Sequence, residues 1–308
     1  MKELKLLQLI PSLKSGGVEQ GTIDVANYIG SKGHKSLIVS NGGKMETLIN
    51  RKNVKHIYLP VHTKNIIKII QNSFKLKKII NDHQINIVHV RSRAPAWSLN
   101  FIRKKNFITV STFHNIYGHN NFLKKFYNKG LSKADKIIAI SNYVKQSIID
   151  IYNIKSSKIT VINRGVDTDF FKPTIENKDN YINFLSRFNI TSEKKIILFP
   201  GRLTSWKGQI KFLDVIDKLK EKNFVCYFVG DDKNKSYSKK LIIEIKKKKL
   251  DSTCRILGNL TRDELKLMYH TSDLIISAPN KPEGFGRTIA ESLSMKKIVL
   301  GFNFGGVK

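Results

Sequence analysis

The sequence predicts an α/β protein made of two domains, each with its own parallel sheet. Three observations predict it. Short apolar runs alternate with longer helical stretches along the whole chain. Several of the runs end in a glycine turn that opens the next helix. The alternation also starts afresh after a polar stretch, Pro173 to Lys195. A chain of 308 residues with 41% hydrophobic content can bury two cores of roughly 150 residues each.

The first half opens as a βαβ unit: Lys5 to Ile10 as a strand, a glycine turn, Glu19 to Lys32 as a helix, then Lys35 to Ser40 as a strand. Further strands are expected at Val54 to Leu59, Ile85 to Val90, Phe107 to Thr112, Lys136 to Ile140 and Thr160 to Ile162. Such near-continuous apolar runs suit parallel strands covered on both faces. The second series has strands at Ile196 to Phe199, Val225 to Val229, Thr253 to Leu257, Leu274 to Ser277 and Ile298 to Gly301. Its helices are expected at Gln209 to Lys220, Tyr237 to Lys249 and Thr261 to His270. This places the domains at 1–171 and 172–308. The last residues, Gly305 to Lys308, follow a strand where a turn normally leads into another helix, so the second domain is expected to be incomplete at its C-terminal end.

Composition narrows the function. Cys226 and Cys254 lie apart with no CxxC spacing, which argues against a disulfide framework or a zinc site and suits a reducing cytoplasm. The first apolar stretch is interrupted by Lys5 and Gln8 and reads as a strand, not as a signal peptide. No run approaches the roughly 20 apolar residues of a membrane span, so membrane contact is expected to be peripheral. The net charge of +31 favours anionic partners. Only ten of the 55 basic residues are arginine, the residue suited to bidentate base and phosphate recognition. Lysine spread among abundant asparagine and isoleucine is what a nucleotide bias in the gene would produce, and no specific nucleic-acid partner is expected.

Two constellations carry the chemistry. Pro282-Glu283-Gly284-Phe285-Gly286-Arg287-Thr288-Ile289-Ala290-Glu291 follows the strand Leu274 to Ser277. Its glycines permit a tight turn whose N–H groups face an anion, and the helix beginning near Arg287 adds its positive end. Glu283 and Glu291 suit sugar or ribose hydroxyls, or else are an ordinary turn residue and a solvated helix residue. The second is Gly201-Arg202-Leu203-Thr204-Ser205-Trp206-Lys207-Gly208, between the strand Ile196 to Phe199 and a helix. Arg202 as a planar clamp and Lys207 as a point charge would neutralise a diphosphate. Both lie at carboxyl ends of strands in one sheet, where open α/β folds bind ligands.

Together these segments resemble the family-4 group of retaining glycosyltransferases, over nearly the whole chain. The resemblance implies the GT-B fold, two Rossmann-like domains whose parallel sheets face a central cleft. It implies that Arg202 and Lys207 bind the donor diphosphate, Glu283 contacts the donor sugar and Glu291 binds the nucleotide ribose. Gly284, Phe285, Gly286 and Thr288 would complete the donor site. In the first half, Ser15-Gly16-Gly17-Val18-Glu19 resembles the family's Gly-Gly-x-Glu loop, with Gly16 and Gly17 on the donor side and Glu19 on the acceptor side. His114 would hydrogen-bond the transferred sugar from the opposite wall. Ser141 and Asn163 match positions near the cleft, while Arg164 and Asp167 read as architectural. Arg91 and Arg93, in a segment that departs from the usual family pattern, would suit an anionic acceptor or are surface arginines at a turn.

The implied reaction moves a sugar from a nucleoside diphosphate sugar to a hydroxyl acceptor with retention, in lipopolysaccharide, polysaccharide or glycolipid synthesis. No cofactor or metal is implied; for Asp231-Asp232, which follow Gly230 at a strand end, a nucleotide-contacting or loop role fits at least as well as ion binding. Lys64 to Ile80 and Phe122 to Lys129 mix apolar residues with lysines and suit either an anionic membrane surface, such as the inner face of the plasma membrane, or ordinary packing. The rivals are a GT-B-like nucleotide-sugar epimerase, a truncated inactive transferase and a non-catalytic basic binder of lipid or nucleic acid.

Overall fold

The computed structural model describes residues 3–14, 16–102, 106–191, 193–221, 223–232 and 235–308. Ser15, in the first glycine loop, lies outside them. The chain divides into two compact units, Met1–Asn163 and Arg164–Lys308.

The first unit runs β1 (Lys5–Leu9), α1 (Gly17–Ser31), β2 (Lys35–Ser40), β3 (Val54–Tyr58), α2 (Ile66–Asp82), β4 (Ile87–Val90), α3 (Arg93–Asn100), β5 (Ile108–Phe113), α4 (Phe122–Asn128), β6 (Lys136–Ala139), α5 (Asn142–Tyr152) and β7 (Ile159–Val161). Its strands pair in the order β3-β2-β1-β4-β5-β6-β7, all parallel. The order reverses direction between β1 and β4, which opens a crevice at the carboxyl ends of those strands. Burial explains the apolar runs: Leu7, Leu9, Ile38, Val39, Val88 and Ile137 are out of solvent. Gln8 is buried too, and its amide donates to the Thr22 carbonyl at 2.8 Å, tying α1 to the sheet.

The second unit runs α6 (Lys178–Arg187), β8 (Lys195–Pro200), α7 (Gln209–Lys218), β9 (Phe224–Val229), α8 (Ser236–Lys247), β10 (Cys254–Gly258), α9 (Arg262–Thr271), β11 (Leu274–Ser277), α10 (Arg287–Ser294) and β12 (Ile298–Gly301). The sheet is again parallel, in the order β10-β9-β8-β11-β12, with the same reversal between β8 and β11. The two-residue period of the strands feeds two cores. Leu198, Tyr227 and Ile275 join Phe171, Phe184, Met268 and Tyr269 on one side. Phe199, Phe228 and Ile276 join Leu213, Ile216, Leu241 and Ile245 on the other. Cys226 and Cys254 are register partners on β9 and β10, both buried and both free thiols.

Two boundaries differ from the sequence reading. Residues 164–171 belong to the second unit and not to the first, because Val166, Phe170 and Phe171 pack into its core and Asp167 accepts from Arg262 at 2.8 Å. The stretch read as a polar connection holds α6. Asn177 caps it by accepting from the Asn180 amide, and Phe184, Leu185 and Phe188 dock in the same core. At the edge strand β12, Ile298 and Leu300 stand exposed, as does Phe302 just beyond it. No helix among the described residues is long and apolar enough to cross a membrane.

Candidate functional site

The β8–α7 turn sets the first half of the site. Gly201 leaves the strand at φ 145°, and Ser205 to Lys207 form a single 3₁₀ turn. Gly208 then starts α7 in the left-handed region at φ 89°, where a Cβ would lie 2.1 Å from the Ala278 carbonyl oxygen. Only glycine fits there. Asn280 completes the latch, its backbone N–H donating to the Trp206 carbonyl at 2.7 Å and its side-chain amide to the Ser205 carbonyl at 2.6 Å. The loops after the neighbouring strands β8 and β11 are therefore held as one piece.

Across that latch Lys207 Nζ forms an ion pair with Glu283 Oε1, and the side chains are only 14% and 10% exposed. The lysine stem lies over Gly201, where an added Cβ would be 3.5 Å from Cδ and Cε, and its Nζ sits 4.8 Å from the Trp206 ring centroid. Arg202 is exposed and makes no ion pair among the described residues. A guanidinium free to swing and an ammonium held by one carboxylate are both available to an incoming anion.

The loop after β11 supplies backbone donors. Glu283 bridges to Gly305, with the Gly306 N–H donating to the Glu283 carbonyl at 2.7 Å. A Cβ at Gly306 would lie 2.1 Å from the Gly284 carbonyl oxygen, so the loop after β12 also fixes this turn. Gly286 caps α10 at φ 87°. No acceptor among the described residues takes the N–H groups of residues 284–288. These donors at a helix N-terminus form a ready anion cradle.

Glu291 sits just over one turn into α10 and is buried. Its Oε1 accepts from Arg287 Nε at 2.7 Å and its Oε2 from the Tyr269 hydroxyl at 3.1 Å. Burial, and secondly the Glu291 charge, push the Tyr269 hydroxyl well above the usual phenol range, so it stays a donor. Sequence reasoning passed over Tyr269 and Asn280 and gave Arg287 no role. The four-residue spacing of Arg287 and Glu291 was a visible signal. Tyr269 had none, because its link to Glu291 spans two elements. Asp232 accepts from the backbone amide of Ser238, in the first turn of α8, at 2.7 Å. Among the described residues no three His, Cys, Asp or Glu side chains cluster as a metal site would.

The structure places the other sequence-predicted residues in the first unit. Gly16 caps α1 at φ 125°, with Gly17 the first helical residue. The Glu19 carboxylate folds back over this turn, 2.9 Å from where a Gly16 Cβ would be. His114 follows β5 and is half-buried. Ser141 caps α5, its hydroxyl accepting from the Val144 amide at 3.2 Å, and Asn163 is exposed at the end of the unit. Arg91 is not a surface arginine: it is buried, and its Nη1 donates to Gln8 Oε1 at 3.2 Å. The reason is that β4 pairs directly with β1 in mid-sheet. Arg93, expected at a turn, opens α3; its guanidinium lies 4.2 Å from the Tyr117 ring and donates to Asn128 at 2.9 Å. A surface cavity of about 440 Å³ at the start of β6, lined by Lys136, Lys155 and Lys158 among others, contains none of these candidates.

Comparison with known proteins gives this geometry a family. Residues 15–170 match Glycosyltransferase Family 4, and residues 180–308 match Glycosyl transferases group 1. A crystal structure of a glycosyltransferase from Rickettsia africae ESF-5 is 38% identical, covers 100% of this chain and 81% of that one, and superposes with a TM-score of 0.88. Anabaena Alr3699/HepE, solved in complex with UDP and glucose, shares the fold at 20% identity and a TM-score of 0.81, over 99% of this chain and 82% of that one. The phosphatidylinositol N-acetylglucosaminyltransferase GPI3 subunit of Saccharomyces cerevisiae is 25% identical over 95% of this chain, which spans 66% of that subunit's length. With both halves matched and two parallel sheets of the same order, the chain belongs to the family-4, group 1 glycosyltransferases of the GT-B fold.

Proposed function

We propose that the chain transfers a sugar from a nucleoside diphosphate sugar to a hydroxyl of a carbohydrate or lipid-linked acceptor, with retention at the anomeric carbon and without a metal. One observation carries the donor site. Lys207, Glu283 and the unbonded amides of residues 284–288 come together at the carboxyl ends of two adjacent strands, with Glu291 in the helix that those amides begin. Arg202, Lys207 and the amides of Gly284, Phe285, Gly286 and Thr288 hold the diphosphate. Glu283 accepts from sugar hydroxyls, and Glu291, braced by Tyr269 and Arg287, accepts from the ribose.

In the reaction the bond from the anomeric carbon to the diphosphate oxygen breaks, and its electron pair leaves with the diphosphate. The acceptor hydroxyl bonds to that carbon on the same face and passes its proton to the departing phosphate oxygen. Donors aimed at the developing phosphate charge lower the barrier, each by about 3 kcal/mol in comparable sites. In the first unit, Gly16 and Gly17 are proposed to serve the donor, His114 the transferred sugar, and Glu19, Arg91, Arg93, Ser141 and Asn163 the acceptor. The name of the yeast relative ties it to phosphatidylinositol, which supports a lipid-linked acceptor within glycolipid, lipopolysaccharide or polysaccharide synthesis.

The test is to incubate the chain with UDP-, GDP- and ADP-sugars, with and without saccharide acceptors, and follow anomeric protons by NMR. Retained product and free nucleoside diphosphate, formed only with acceptor, support the proposal. Donor converted without acceptor into an epimeric nucleotide sugar makes the chain an epimerase. Donor left intact by chain that binds nucleotide refutes transfer by these residues.

A further inference from the structure

We infer that the helical layer α2–α3–α4 of the first unit docks on an anionic lipid bilayer, as a surface that would act whether or not the chain transfers sugar. Two independent observations meet there. The first is charge. Between Glu46 and Asp135 the sequence carries seventeen lysines and arginines but a single acidic residue, Asp82. This segment is more than a quarter of the chain, yet 23 of the 24 acidic residues lie outside it. A lysine-rich composition accounts for abundant bases; it does not account for missing acids. The asymmetry gives one part of the molecule a strong positive field.

The second observation is exposed apolar surface on the helices that this segment encodes. α2 is apolar on two sides. Ile69, Leu76 and Ile80 are buried, while Ile66, Ile67, Ile70 and Phe74 form a separate stripe spaced for one helix face, with Phe74 71% exposed. Lys68, Lys75, Lys77 and Lys78 are exposed around that stripe. α4 begins with Phe122 and Leu123 at 79% and 74% exposure, and Phe126 stacks on Phe122 beside the exposed Lys124, Lys125 and Lys129. Helices buried against a sheet have no use for a second apolar face rimmed by ammonium groups. That pairing is what an interfacial helix presents to a charged bilayer, with rings among the acyl chains and lysines at the headgroups.

The fold puts these faces in one layer. Right-handed crossovers from β3 to β4, β4 to β5 and β5 to β6 place α2, α3 and α4 on the same side of the first sheet. α3 packs against α2, and through Trp97 against Phe126 of α4, ring centroids 5.2 Å apart. Trp97 Nε1 also donates to the Tyr127 carbonyl at 3.0 Å. An anionic bilayer fits both the charge and the apolar rims, whereas a nucleic acid would leave Ile67, Phe74 and Phe122 without partners.

The experiment is flotation of the chain with phosphatidylcholine vesicles and with vesicles containing 30% phosphatidylglycerol, at low and high salt. Two variants change only exposed side chains, Phe122→Ser/Leu123→Ser/Phe126→Ser and Lys124→Gln/Lys125→Gln/Lys129→Gln, and a control carries Ile298→Ser/Leu300→Ser on the second unit. Circular dichroism melts check that each is folded. The inference expects binding to the anionic vesicles only, lost at high salt. The serine variant should weaken it at least tenfold and the glutamine variant roughly fivefold per lysine, with the control unchanged. No vesicle binding by folded wild type overturns it. So does binding that survives both variants, and so does an apolar face that instead mediates self-association or oligonucleotide binding sensitive to the same substitutions.

Discussion

Replacing Lys207 by methionine tests whether the two donor-site loops are joined by a real ion pair. The lysine and Glu283 are 14% and 10% exposed, so the methionine variant strands a nearly buried carboxylate. Breaking a wholly buried pair costs about 3–5 kcal/mol; the residual solvent here puts the loss near 2–3 kcal/mol. Glu283→Gln keeps an acceptor but loses the charge and should cost about 1–2 kcal/mol. The double variant should be less damaging than the sum by about 2 kcal/mol, the coupling expected of contacting charges. Urea unfolding followed by tryptophan fluorescence, to which Trp206 contributes beside Lys207, reads this as a midpoint shift of about 1 M for Lys207→Met. Nucleotide binding should split the pair. Lys207→Met weakens nucleoside diphosphate affinity at least tenfold, while Glu283→Gln, which removes a competing anion, does not weaken it. Additive stabilities with no coupling, or equal losses of affinity in both variants, would refute the arrangement.

Three further outcomes follow from the same geometry. Gly208→Ala places a methyl 2.1 Å from the Ala278 oxygen at φ 89°; beyond the roughly 1–2 kcal/mol of left-handed strain it must part the loops, so calorimetry should show nucleotide affinity falling with stability. Tyr269→Phe leaves Glu291 Oε2 without its donor; it should cost about 1.5–3 kcal/mol of stability and weaken binding of a nucleoside diphosphate while leaving inorganic pyrophosphate binding unchanged. Burial holds His56 and His270 below the ordinary imidazole range, over an opposing pull from Glu46 on the former. The unfolded chain therefore takes up protons below about pH 6.5 that the folded chain refuses, and stability falls as pH drops through that window. Urea midpoints at pH 7.5 and 5.5 should differ in that direction, and His56→Gln should reduce the difference.

Much of this was legible in the sequence because parallel strands covered on both faces must be apolar throughout. Leu274 to Ser277, such a strand, matches the structure residue for residue; so does Ile298 to Gly301, although that edge strand leaves Ile298 and Leu300 exposed. The two glycine-rich loops were legible for a related reason. Each follows such a strand, and residues like Gly208 and Gly286 stand where the backbone turns left-handed. What was missed depends on partners far away in the chain. α6 hid in a polar stretch because its apolar residues are few, although the spacing of Tyr181, Phe184 and Leu185 with Phe188 at the C-cap, and the Asn177 cap, were there to read. Arg91 looked like a surface residue because nothing local says that β4 lies next to β1 and offers Gln8 as a buried acceptor. The Lys207–Glu283 pair joins residues 76 apart in sequence and needed the sheet order to bring them together.

The most direct test of the central claim is isothermal titration of the chain with UDP, GDP and ADP, alongside Glu291→Ala and Lys207→Ala. Selective binding of one nucleoside diphosphate is expected, weakened at least tenfold by either substitution. Well-folded protein that binds none of the three, or binds one equally well in both variants, would contradict the donor site described here.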